Sequence, residues 1–196
     1  NTAVQSLGLN DVSKFIIEER VLGLPKNLDS ALIEMTITDF TDEVSRESPA
    51  PGGGSIAALA GALGSSLQSM VANLSSSNRG SEETDKILWN AAEKAQDIKN
   101  KLLKAVDEDT NAFNDFMIAK RLPAKTTDEK SIRHKAMQDG LKHAVNVPLS
   151  TAKLSFEVIE ISSTVIEYGN PNSITDVGVG AQMAYSGVVG GIYNVL

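Results

Sequence analysis

The sequence predicts an all-α protein: a bundle of long antiparallel helices that associates as a homodimer. Three observations predict it. No stretch makes a convincing strand, whereas apolar residues recur at three- and four-residue spacing along most of the chain. The helical stretches are long and are separated by short segments rich in proline, glycine, serine and asparagine. Two of them consist mostly of small residues, and wide small-residue faces let a neighbouring helix or a second copy come close.

The first 27 residues read as a lead-in, with Leu7, Leu9, Val12, Phe15, Ile16 and Ile17 too apolar for a free linker and a break at Gly23 and Pro25. Residues 28–196 read as the helical domain. Leu28 to Arg46 is predicted as its first helix, with Leu32, Phe40 and Val44 roughly in line. Then comes Ser48 to Leu74, a stretch without a single charge in a chain that is 22% charged. Pro51, Gly52, Gly53 and Gly54 are predicted as a loop, with Ser55 placed to cap the helix behind it. Leu59, Leu63, Leu67, Met70 and Leu74 recur at helical spacing, interleaved with alanine, glycine and serine. The helix is long enough to span a bilayer, but its serine, asparagine and glutamine and its lack of basic flanks favour a buried helix in a protein without a membrane partner. The glycine triplet has two readings, a ligand loop at a helix start or a tight entry to a central helix.

Ser81 to Leu122 is predicted as a very long helix with Glu82, Glu83 and Asp85 in its first turn, where acids suit the helix dipole. Its stripe runs Ile87, Ala91, Ala95, Ile98, Leu102, Ala105, Ala112 and Phe116. A second long helix follows Thr127, with a stripe through Ile132, Ala136, Leu141, Ala144, Thr151, Leu154 and Val158. Pro148 is expected to kink or break it. The segment from Tyr168 to Asp176 is a loop, with Ser173 and Asp176 in a capping-box-like pair. A small-residue helix through Val177, Ala181, Ala184, Val188, Gly191 and Val195 closes the sequence.

Composition narrows the function. A net charge of −7 argues against nucleic acid. The chain has no cysteine, so disulfides and thiolate metal sites are out, and a cytoplasmic location is expected. Its two histidines, His134 and His143, are too far apart for a helical metal pair, so no metal is expected. No P-loop, dinucleotide fingerprint or Ser-His-Asp order is present.

One residue breaks the pattern. The stripe Ile98, Leu102, Ala105 continues at Asp109 before Ala112 and Phe116. A carboxyl on an apolar face either has a structural partner or acts as a general acid/base. Downstream, Lys120, Arg121, Lys125, Arg133, Lys135 and Lys142 form either a solvated face or a landing strip for an anionic tail.

The stretch SPAPGGGSIAALAGALGSSLQSMVANLS closely resembles the signature of the cyclodeaminase/cyclohydrolase family of tetrahydrofolate enzymes. VDEDTNAF at Val106 to Phe113, RLP at Arg121 to Pro123, AVNVPL ending at Leu149, Gly169-Asn170, Asp176 and YNVL at the end resemble further family positions, in family order. The resemblance covers roughly residues 35–196 and implies an all-α homodimer with sites at or near the interface. It implies that Asp109 is the catalytic acid/base and that Pro51, Gly52, Gly53, Gly54, Ser55, Asn170 and Asp176 bind the folate. Lys120 and Arg121 would hold its glutamate tail. The implied substrate is a tetrahydrofolate derivative, 5-formimidoyltetrahydrofolate, cyclised to 5,10-methenyltetrahydrofolate with release of ammonia, as in histidine degradation. LGLNDVSKF near the start resembles a linker from a formimidoyltransferase domain, so the chain is expected to be the C-terminal half of a bifunctional enzyme, truncated at its C-terminal end. Two other readings compete: a methenyltetrahydrofolate cyclohydrolase and a non-catalytic helical dimerisation module.

Overall fold

The computed structural model describes residues 31–76 and 81–196. The lead-in and the expected polar turn at 77–80 therefore lie outside the described residues. The chain divides into two units, Asn1–Arg46 and Glu47–Leu196. Among its described residues the first holds a 3-10 turn, Leu32–Glu34, and helix α1, Ile37–Val44. The one helix expected over Leu28 to Arg46 is interrupted. Met35 is extended, and Thr36 starts α1 afresh by accepting the Asp39 amide at 3.1 Å. A threonine competes with the backbone as a cap more effectively than it continues a helix.

The second unit contains α2 (Gly53–Ser76), α3 (Glu82–Arg121), α4 (Thr127–Tyr168), a 3-10 turn at Pro171–Ser173, and α5 (Ile174–Val195). The described residues are all-α, with no strand. Ser81 caps α3 by accepting from the Thr84 amide, and Thr126 and Glu129 form a reciprocal capping box at the start of α4. Each satisfies amides that the first turn leaves free. The start of α5 differs from expectation. Ser173 makes no side-chain cap, and Asn170 caps the preceding 3-10 turn through Oδ1 to the Asn172 amide.

Pro148 does not break α4, which runs unbroken from Thr127 to Tyr168. The residue is fully buried. The backbone of α5 comes so close at Gly191 that a Cβ there would lie 2.7 Å from the Pro148 carbonyl. Packing on this side offsets the lost hydrogen bond and keeps α4 continuous through the proline.

Helix α2 packs against α3, α4 and α5. Its small residues face inward: Ala58, Ser65, Gln68, Val71 and Ala72 are fully buried. Its large residues face outward, with Leu63 48%, Met70 39% and Leu74 54% exposed. The small faces that suggested dimerisation are thus consumed within the protomer. Only small residues let three helices surround a fourth. At Gly64 an added Cβ would sit 2.6 Å from the Gly180 carbonyl of α5. Polar ties fix the register. Ser65 donates to the Ala95 carbonyl at 2.7 Å, and Gln68 donates to the Val177 carbonyl at 3.0 Å.

The large core side chains come from α3 and α4, chiefly Leu88, Ile98, Leu102 and Val158. Each leucine or isoleucine truncated to alanine there would cost about 2–5 kcal/mol. The α3 stripe begins at Leu88 rather than Ile87, while Ile132 and Leu141 of the expected α4 stripe are exposed. By length and composition alone, α2 is a helix that could cross a membrane, yet 67% of its most apolar window is buried by the bundle.

Candidate active site

The site is built on the first turn of α2. The Gly52 carbonyl accepts the Ile56 amide at 3.1 Å, so the helix starts at Gly53, two residues earlier than the glycines suggested. The amides of Gly53, Gly54 and Ser55 precede the first intrahelical bond, and the positive end of the helix dipole gathers there. Ser55 is not the cap. Its amide is met from outside, by Asp109 of α3, whose Oδ2 accepts it at 2.9 Å. A carboxylate 54 positions away in sequence thus does what an N-cap side chain normally does.

The Ser55 side chain is fully buried. Its Oγ lies 2.9 Å from the Val106 carbonyl, 3.2 Å from Asp109 Oδ2 and 3.4 Å from Thr110 Oγ1. Gly54 is required for a simple steric reason. The Asp109 carboxylate rests against its Cα, where any Cβ would overlap Oδ1. Among the described residues Oδ1 accepts no hydrogen bond, and it is open to solvent.

Asp109 is half-buried, and its pKa is raised above the ordinary carboxylate value. Burial is the main cause, and the two hydrogen bonds from Ser55 oppose it. A carboxyl with one oxygen held by a helix start, one oxygen free and a raised pKa suits a group that must both take and give a proton. The stripe-breaking aspartate thus sits in a polar niche, with Ser55 of α2 as its inter-helix hydrogen-bond partner.

The remaining predicted site residues separate into groups. Pro51 is buried beneath the loop, and Gly53 is exposed, with the Asn194 amide 3.2 Å from where a Cβ would stand. Lys120 and Arg121 are exposed in the last turn of α3, about 16–18 Å beyond Asp109 along the helix. Asn170 and Asp176 are at the other end. The Asn170 amide donates to Ser75 Oγ at 2.8 Å, and Asp176 sits half-buried in the first turn of α5. Ser55 to Ser75 is about 30 Å of helix, and Ser55 to Gln68, which meets the Val177 carbonyl next to Asp176, is about 20 Å, so one protomer does not bring these two to Asp109. Thr110 and Asn194 stand at the site without having been singled out. Adjacency to Asp109 was a sequence signal for Thr110, whereas only the return of α5 brings Asn194 over Gly53.

Residues 36–196 match the protein family described as formiminotransferase-cyclodeaminase. The chain is 38% identical over 160 residues to a methenyltetrahydrofolate cyclohydrolase of Methylorubrum extorquens, covering 82% of this chain and 77% of that protein. It is 35% identical over 196 residues to the formimidoyltransferase-cyclodeaminase of Gallus gallus, covering 98% of this chain but only 36% of that longer protein. Its fold matches the crystal structure of formiminotetrahydrofolate cyclodeaminase from Thermotoga maritima with a TM-score of 0.72 at 25% identity, over 83% of this chain and 77% of that one.

Proposed function

Since this chain belongs to the formiminotransferase-cyclodeaminase family of folate one-carbon enzymes, we propose that it cyclises 5-formimidoyltetrahydrofolate. The observation that carries this reading is Asp109, half-buried, raised in pKa and open at Oδ1 beside the amides of α2. In the first step the 10-nitrogen lone pair attacks the carbon of the protonated formimidoyl group (–CH=NH2+), forming a carbon–nitrogen bond while the C=N π pair moves onto the exocyclic nitrogen. Asp109 takes the proton that the attacking nitrogen sheds. It then delivers that proton to the exocyclic nitrogen, whose bond to carbon breaks, and ammonia leaves. The product, 5,10-methenyltetrahydrofolate, is a cation, and the re-ionised carboxylate stabilises it. The Gly53–Ser55 turn and Asn194 would border the reacting ring, and Lys120 and Arg121 would meet a glutamate tail.

A second copy belongs to this reading. The outward stripe of α2, Leu63, Met70 and Leu74, is an unsatisfied apolar face along the helix that starts at the site. Two such stripes packed antiparallel about a two-fold axis would carry the partner's Asn170 end to Asp109. This accounts for site residues that one protomer leaves about 20–30 Å apart. A formimidoyltransferase partner domain is proposed from the Gallus gallus relative, which is so named and longer.

One observation favours a second reaction. The Methylorubrum extorquens relative is named a cyclohydrolase, and water in place of ammonia needs the same proton shuttle. The test is absorbance at the methenyltetrahydrofolate band. Growth of the band from 5-formimidoyltetrahydrofolate with release of ammonia supports the cyclodeaminase. No growth, with faster decay of added methenyltetrahydrofolate, replaces it with the cyclohydrolase. Neither change in a folded dimer would leave a non-catalytic module.

A further inference from the structure

Ser55 is fully buried, so its hydroxyl does not reach a ligand. It carries one proton and faces three oxygens. The Val106 carbonyl, at 2.9 Å, can only accept. Asp109 Oδ2, at 3.2 Å, accepts strongly when ionised and weakly when neutral. Thr110 Oγ1, at 3.4 Å, can play either part. One proton cannot serve the first two at once. Which of them it serves therefore depends on the charge of Asp109.

We propose that the Ser55 hydroxyl is a two-position switch that follows the protonation of Asp109. With the carboxylate ionised, the hydroxyl turns to Oδ2 and adds a second donor to the Ser55 amide. With Asp109 protonated, the hydroxyl turns to the Val106 carbonyl, and Thr110 Oγ1, at 3.4 Å, can donate to the Ser55 oxygen in either state. No heavy atom moves, and no buried donor is left without an acceptor in either state. Ser55 is thus a positioning residue. It keeps both forms of the acid/base accommodated and stabilises the ionised form that must be regenerated each turnover.

Little else is available to do this. Helix α2 bears no ionisable side chain at all. Within about two turns of Asp109 along α3 the charged groups are Lys101, Lys104, Asp107, Glu108 and Asp115; α4 adds His143, 3.9 Å from Asp115, and α5 carries Asp176, Tyr185 and Tyr193. The raised pKa of Asp109 comes from burial, against which the Ser55 hydroxyl and amide both work.

This inference deepens the acid/base reading of Asp109, and its test separates the two. The Asp109 carboxyl would be titrated by carbon-13 NMR in ligand-free protein, in the natural chain and in Ser55→Ala. The switch predicts a midpoint at higher pH in Ser55→Ala, and an acid limb of kcat/KM displaced the same way. Ser55→Cys, nearly isosteric and a weaker donor, should move the midpoint in that direction by less, and it carries the test if the alanine variant does not fold. A midpoint that is unmoved or lower in the folded variant overturns the switch. A displaced midpoint alongside normal turnover by Asp109→Asn would instead overturn the catalytic reading and leave the switch intact.

Discussion

The two ends of α2 use the same device with different results. At each end a side chain ties α2 to a distant element. At the start, Asp109 accepts from the Ser55 amide at 2.9 Å; at the finish, Ser75 Oγ accepts from the Asn170 amide at 2.8 Å. The finish is a neutral join. Ser75 also donates to its own Val71 carbonyl at 2.7 Å, which leaves it no proton for chemistry. The start holds an ionisable group with one oxygen unspent, against a positive helix terminus and with its pKa raised. Hydrogen-bond geometry alone does not mark a site. What marks it is a titratable group held on one side and unsatisfied on the other.

The comparison is broken most severely by Gly54→Ala. The new Cβ would overlap the Asp109 carboxylate and force it off the Ser55 amide. Turnover should fall by at least about a hundredfold, with a stability loss of about 1–3 kcal/mol in denaturant unfolding. Next is Leu63→Glu on the outward stripe. It should yield a monomer in sedimentation and lower activity about tenfold or more, because the partner's Asn170 end no longer arrives. A folded monomer with full activity would refute the shared site.

The finish should respond more weakly. Ser75→Ala removes one acceptor and should cost about 1 kcal/mol in unfolding while kcat stays near its natural value. The smallest effect has an unusual sign. A raised pKa means that Asp109 holds its proton more tightly in the folded chain than in the unfolded one. Its contribution is present in full below the unfolded value near 3.8 and is lost as pH rises through the folded pKa. Asp109→Asn keeps an acceptor for the Ser55 amide and does not titrate. It should therefore be the more stable protein at pH 7, with a margin that closes as pH falls towards 3.8.

Much of this was legible in the sequence. The long helices follow from three- and four-residue spacing, and their acidic first turns and capping residues mark where α3 and α4 begin. Asp109 stood out because its spacing put a carboxyl where an alanine belonged. The orientation of α2 was not legible, since periodicity identifies two faces without saying which is covered. Helices that pack backbone to backbone bury glycine and alanine and leave leucine outside, the reverse of the usual pattern. Of the two outcomes expected at Pro148, a kink or a break, the break does not occur, because one lost hydrogen bond does not end a helix packed along its length. Asn170 and Asp176 were assigned to the folate by resemblance, which carries no distance; within one protomer they lie about 20–30 Å along α2 from the turn that holds Asp109.

The most direct measurement is ring closure by Asp109→Asn beside Asp176→Asn, each checked for folding by circular dichroism. The two substitutions remove one charge apiece, about 20 Å apart along α2. Loss of about a hundredfold or more in kcat for Asp109→Asn, against a change mainly in KM for Asp176→Asn, is the result predicted. Near-normal kcat in folded Asp109→Asn would contradict the acid/base role on which the proposed reaction rests.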